Sequence, residues 1–245
     1  MLQPELQILQ CIDLTSLNDA DTDASITALC SKAHTAHGDV AGVCTYQRFV
    51  PLTKKLLAAT HVRIATVSNF PHGGDDIAAT CDDISASIAN GADEIDVVMP
   101  WQRLVAGDDV FVGQFLGRCR QACGDHITLK VILETGALPS GEHIRRASQI
   151  AIDQGANFIK TSTGKVDVGA TLAAAEIMLE TIKRSDADCG FKASGGIKTT
   201  PIALSYLNLC ATIMGPNWIS PQHFRVGASS LLDELLLEMT ATQME

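Results

Sequence analysis

Hydrophobic and polar positions along this chain switch repeatedly between two periods. Short runs rich in β-branched and apolar residues lie at 11–15, 40–46, 63–68, 94–99, 129–134, 190–194 and 224–228, with another beginning at Phe158. Their length and composition predict strands. Between them, stretches with helical spacing cover about 22–36, 51–57, 75–90, 110–123, 142–154, 172–184, 202–214 and 229–239, preceded by a brief N-terminal helix. Gly38 and Gly91 read as helix stops, Pro51 and Pro201 as first-turn residues, and Gly215-Pro216 as the end of the penultimate helix. A strand followed by a helix, eight times over with short connections, predicts a TIM (β/α)8 barrel; a doubly wound open sheet is the alternative. No linker-like stretch interrupts residues 1–245, so a single domain is expected.

Composition narrows the picture. The 245 residues suit one barrel of about 250 residues. Apolar residues make up 46% and charged residues 19%, as in globular chains, and with only 4% aromatics the core must be aliphatic. A net charge of -10 excludes a broad nucleic-acid interface and leaves room only for local basic pockets. The eight cysteines form no CxxC pair, which predicts reduced, buried thiols in a cytoplasmic protein. The N-terminus does not read as a signal peptide, and no apolar run is long enough for a membrane span. The seven histidines are scattered, and neither a metal site nor a cofactor is expected.

Charge inside the predicted barrel changes the reading. Strand alternation turns Asp96, Lys130, Glu134, Lys160 and Lys192 toward the centre, where apolar side chains usually pack. Buried ion pairs rarely stabilise a fold relative to apolar packing, so the cluster points to a site; an ion-pair network without chemistry is the competing view. Lys160 and Lys192 fall on consecutive strands, about 4.8 Å apart in a parallel sheet. Two ammonium groups at roughly 4 Å repel by about 4 kcal/mol at an effective dielectric near 20, equivalent to about three pKa units. One of the two can therefore be a neutral nucleophile near pH 7, with Asp96 accepting a proton or orienting water. Spacing does not say which lysine is the nucleophile.

Anion recognition is the second constellation. Thr161 to Lys165 follow Lys160 with hydroxyls, a glycine and a second cation. Ser194-Gly195-Gly196 follows the seventh strand, and Gly227-Ala-Ser-Ser230 follows the eighth and opens the last helix. Glycines admit backbone N–H groups to a phosphate, and the loops after strands seven and eight are where phosphate sits in many such barrels. Cys44 reads foremost as a buried structural thiol, with a place facing the site at the end of strand two as the lesser reading, and His72 reads as a structural loop residue.

These segments together resemble deoxyribose-phosphate aldolase of the bacterial class I type. The matching stretches are DLTSLND at 13–19, TVSNFPHG at 66–73, GADEIDVV at 91–98, FIKTSTGK at 158–165, GFKASGG at 190–196 and FRVGASS at 224–230. The resemblance implies reversible cleavage of 2-deoxy-D-ribose 5-phosphate to acetaldehyde and D-glyceraldehyde 3-phosphate, by a cytoplasmic homodimer that needs no metal. It assigns Lys160 as the Schiff-base lysine, Lys192 as the lysine that perturbs it, and Asp96 to the proton relay. Thr163, Gly164, Lys165, Gly195, Gly196, Ser229 and Ser230 fall at its substrate and phosphate contacts, and Cys44 at a thiol that makes some members vulnerable to aldehydes. Two departures stand out. Lys198 replaces an arginine found in several relatives, losing a bidentate fork for phosphate. The sequence ends Gln243-Met-Glu245, without the tyrosine-ended tail of some relatives. A different phosphate-binding Schiff-base barrel, such as a transaldolase-like enzyme, and a non-catalytic sugar-phosphate sensor are the competing functions.

Overall fold

A computed structural model describes residues 3–242. Eight parallel strands close into a barrel in the order β1 (Ile12–Thr15), β4 (Gly42–Thr45), β5 (Arg63–Ser68), β6 (Glu94–Val98), β7 (Thr128–Ile132), β8 (Phe158–Lys160), β9 (Gly190–Ser194) and β10 (Phe224–Ala228), with β10 pairing back onto β1. Helices flank the strands: α1 (Pro4–Gln10), α2 (Asp23–Lys32), α3 (Val50–Leu57), α4 (Ile77–Ala89), α5 (Trp101–Val105), α6 (Asp109–Cys123), α7 (Gly141–Asp153), α8 (Leu172–Ser185), α9 (Thr200–Met214) and α10 (Leu231–Thr242). The architecture is the expected TIM barrel with its N-terminal helix. Among the described residues no helix is long and apolar enough to cross a membrane.

Each strand obeys the two-residue period. Outward positions such as Ile12, Leu14, Ile95, Val97, Leu129, Val131, Ile159, Phe191, Phe224 and Val226 pack with the helices in one apolar cluster. Burying such side chains supplies about 1.5–3 kcal/mol each and fixes the register, because a one-residue slip would turn every one of them inward. The intervening positions are thereby forced to the barrel centre. Pairing sets Asp96 opposite Lys130, Lys160 opposite Lys192, and Lys192 opposite Arg225.

Several predicted boundaries move. The helix placed at 22–36 stops at Lys32 and gives way to a small antiparallel ribbon, β2 (His34–Thr35) and β3 (Gly38–Asp39), turned by Gly38 at φ +121°. The second barrel strand shortens to Gly42–Thr45, because Gln47–Phe49 coils into a 3-10 turn. The strand placed at 129–134 spans Thr128–Ile132, and Glu134 lies beyond it with φ +56°. Helix α5 after Pro100 was not anticipated, and α10 begins at Leu231, leaving Ser229 and Ser230 as bends before it.

Gly190 shows how tightly the wall closes near the site. A β-carbon there would lie 2.4 Å from the Phe158 ring and 2.7 Å from the His223 carbonyl oxygen. Gly190→Ala is therefore expected to lower the unfolding free energy by about 1–3 kcal/mol, read as an earlier urea midpoint.

Candidate active site

Four cationic side chains and three carboxylates meet inside the barrel, all of them 5% exposed or less. Asp96 is the hub: its Oδ1 accepts from Lys130 Nζ at 2.8 Å, and its Oδ2 accepts from both Lys160 Nζ and Lys192 Nζ at 2.8 Å. Below it, Asp13 accepts from Lys192 Nζ and from Arg225 Nη1, and it stands 3.3 Å from Lys130 Nζ. Glu94 completes the tier, pairing with Lys130 and accepting from Arg225 Nη2 at 3.0 Å. A cluster of Asp13, Glu94, Asp96, Lys130, Lys160, Lys192 and Arg225 carries no net charge if one of its four cations is neutral. In a low-dielectric interior, that neutrality is the arrangement of least cost.

The partners decide which cation gives up its proton most readily. Burial acts to lower Lys192, but Asp13 and Asp96 together outweigh it and hold that ammonium above its ordinary value. Lys130 is raised further, because Asp13, Asp96 and Glu94 surround it against the same burial. Lys160 has one carboxylate contact. Burial pushes its amine below the ordinary lysine value, Lys192 reinforces the shift, and Asp96 opposes it without prevailing. Burial disfavours the Asp96 carboxylate, yet the three lysines hold it well below its usual range.

The Lys160 amine opens toward a cleft of about 260 Å³ at the C-terminal end of the strands. Its walls are Thr15, Leu17 and Asn18 at the end of β1, Thr163 to Lys165 after β8, Ser194 to Lys198 at the end of β9, and Gly227 to Ser229 at the end of β10. Side-chain bonds to the backbone fix these loops to one another. Thr161 Oγ1 and Ser162 Oγ donate to the Ser194 carbonyl at 2.9 Å, and Ser194 N–H returns a bond to Thr161 Oγ1. Beyond Ser194, Gly195 and Gly196 take φ +91° and +86°, the left-handed region where a side chain would be strained. Lys165 Nζ reaches across the mouth to the Leu17 carbonyl at 2.6 Å.

The fold thus brings Thr163, Gly164, Lys165, Gly195, Gly196, Lys198 and Ser229 to one cleft with Lys160, while Lys192 and Asp96 lie directly beneath. Ser230 is exposed and outside the lining. Cys44 is buried in a small apolar cluster with Leu17, Ala65 and Val67, and burial, aided by Asp96, pushes its thiol up to about 11. His72 is exposed and away from the cleft lining. Glu134, expected among the inward charges, instead accepts from Thr163. Residues 243–245 lie outside the described residues. Sequence reasoning passed over Asp13, Glu94 and Arg225, although the same alternation marks them: Asp13 stands between Ile12 and Leu14, and Arg225 between Phe224 and Val226.

The model of the DeoC/LacD family aldolases matches residues 7–205. The chain belongs to that aldolase family. Solved structures agree with the assignment. A proposed deoxyribose-phosphate aldolase from Coccidioides immitis is 28% identical, with a TM-score of 0.80 over 94% of this chain and 85% of that one. The apo form of another, from Toxoplasma gondii ME49, is 25% identical, with a TM-score of 0.88 over 97% of both chains. A deoxyribose phosphate aldolase from Aeropyrum pernix, 20% identical, shares the fold with a TM-score of 0.78 over 98% of this chain and 93% of that one.

In this aldolase the electrostatics of Cys44 lead to a direct expectation. At pH 8 a mass-spectrometric iodoacetamide time course should label the part-exposed Cys81 well before Cys44, and unfolding in urea should remove the difference.

Proposed function

We propose that this aldolase works through a Schiff base on Lys160 and reversibly cleaves 2-deoxy-D-ribose 5-phosphate to acetaldehyde and D-glyceraldehyde 3-phosphate. The observation that carries the proposal is the asymmetry of the lysine pair. Lys160 is the cation with a single carboxylate contact and a lowered pKa, and it faces the cleft, whereas Lys192 is held as an ammonium by Asp13 and Asp96.

The neutral amine of Lys160 attacks the open-chain aldehyde carbon, and loss of water gives a protonated imine that serves as an electron sink. Asp96, which accepts hydrogen bonds from Lys160 and Lys192, orients these transfers and relays protons through water. The proton of the hydroxyl at the cleaved carbon passes through water to Asp96, and carbon–carbon cleavage sends the bonding pair into the iminium, leaving an enamine on Lys160 and releasing glyceraldehyde phosphate as its aldehyde. Protonation of the enamine carbon and hydrolysis free acetaldehyde and regenerate the amine. The phosphate is taken by backbone N–H groups of Gly195 and Gly196, by Ser229, and by the side chain of the exposed Lys198, with Lys165 closing the opposite side of the cleft. Structural relatives described as deoxyribose-phosphate aldolases at 25–28% identity support this choice of substrate. The reading takes residues 1–245 as a single catalytic domain that acts as a cytoplasmic homodimer.

Borohydride reduction in the presence of 2-deoxy-D-ribose 5-phosphate, followed by peptide mass spectrometry, should leave a reduced adduct on Lys160 that Lys160→Ala abolishes. An adduct on Lys192, or none, contradicts the proposal. Because the amine must be neutral, kcat/KM should rise with pH along a limb centred below the ordinary lysine value of 10.5. Lys192→Met removes a neighbouring cation and should move that limb to higher pH. Asp96→Asn should lower kcat by about 10²- to 10⁴-fold.

A further inference from the structure

A second cavity, of about 180 Å³, lies between the first turns of α7 and α8 and the loops that lead into them. It shares no lining residue with the cleft. Ile144, Ala174 and Ile177 give it apolar walls, and Val168, Thr171 and Ala173 are exposed at its rim. Thr135 stands in its wall, only 6% exposed, and the Thr135 hydroxyl oxygen is buried without a hydrogen-bond partner. A buried hydroxyl in that state is costly until something bonds to it.

These walls define the ligand. A dry apolar cavity of about 150 Å³ takes a molecule the size of benzene, so this one has room for about six non-hydrogen atoms. Thr135 offers it a group that both donates and accepts. Two helices begin at the cavity, yet an anion is not called for. Ser140 and Thr171 cap them by accepting the His143 and Ala174 N–H groups, and Glu142 already places a negative charge in the first turn of α7. The molecule that fits is neutral and aliphatic, with a single hydroxyl or carbonyl oxygen.

The cavity stands back to back with the cleft, separated from it by the segment 168–170. That segment is gripped on both faces. A β-carbon at Gly136 would fall 2.0 Å from the Val168 carbonyl oxygen, and one at Gly169 would fall 2.4 Å from the Gly195 carbonyl oxygen. The Ala170 N–H donates to the same Gly195 oxygen at 3.0 Å, and Gly195 lines the cleft. Contacts this close pass a displacement on rather than absorb it.

We propose that this cavity is a binding site for a small neutral aliphatic alcohol or aldehyde, which pairs its oxygen with Thr135 and, by bracing the segment 168–170, tightens the hold of the cleft on its phosphorylated substrate. The site stands on the cavity and its hydroxyl; its effect on the cleft rests on the aldolase reading above.

The probe is 1-pentanol, which, unlike an aldehyde, forms no imine with Lys160. In protein labelled at the isoleucine δ1 methyl groups, the Ile144 and Ile177 signals, assigned with Ile144→Val and Ile177→Val, should shift saturably during titration. Those of Ile8 and Ile26, on α1 and α2, should stay in place. Thr135→Val should weaken binding about fivefold, as loss of one hydrogen bond allows, and Ala173→Phe, at the exposed rim, should block it. At saturating 1-pentanol the KM for 2-deoxy-D-ribose 5-phosphate should fall about fivefold with kcat little changed, in the wild type and not in Ala173→Phe. Shifts that grow without saturation across all the isoleucines are a solvent effect and overturn the site. Binding that Thr135→Val leaves unchanged overturns the pairing with its hydroxyl, and saturable binding with an unmoved KM overturns the coupling. If Thr135→Val fails to fold, Ala173→Phe decides the site: binding that survives there overturns it. A wild type without aldolase activity removes the aldolase reading, while the methyl titration still decides the site.

Discussion

One carboxylate at the centre of the barrel organises everything around it. Asp96 accepts hydrogen bonds from Lys130, Lys160 and Lys192, and without it three amines would crowd a space from which water is excluded. The cost of burying so much charge is offset only by strict pairing, and pairing is possible only because the parallel register brings side chains from β6, β7, β8 and β9 together. Asp13, Glu94 and Arg225 extend the network downward. Their effect is to satisfy Lys130 and Lys192 fully and leave Lys160 with one partner. The amine with the lowered pKa is thus defined by what its neighbours have and it lacks.

The same economy appears in the cleft. The loops after β8 and β9 are cross-linked by threonine and serine hydroxyls to backbone carbonyls, so the glycine turn at 195–196 is held in place without a side chain of its own. On the proposed mechanism, charge below supplies reactivity, and backbone and hydroxyl groups above supply recognition. The two layers meet at the loop from Lys160 to Lys165, which leaves the strand at the buried amine and enters the wall of the cleft.

Much of this was legible in the sequence, because a period of two fixes which strand residues face inward. Lys160, Lys192 and Asp96 could be placed together from alternation and strand order alone. Other features leave no such trace. Arg225 and Glu94 meet across the barrel from strands far apart in the chain, a pairing that only closure and stagger determine. The choice between Lys160 and Lys192 depends on Asp13, which comes from β1. Glu134 misled because its pattern continues the strand, while its left-handed φ, which no glycine announces, ends it. The ribbon at 34–39 was hidden for a different reason: strands of two residues are too short to show a period.

The central claim is that Lys160 is the neutral lysine and Lys192 the charged one. It is tested most directly by titrating both amines in ¹³Cε-lysine-labelled protein by NMR, with Lys160→Met and Lys192→Met used for assignment. The account predicts that the Lys160 resonance titrates below the ordinary value of 10.5 and that of Lys192 above it. A reversed order, or two lysines titrating together at the ordinary value, would contradict it.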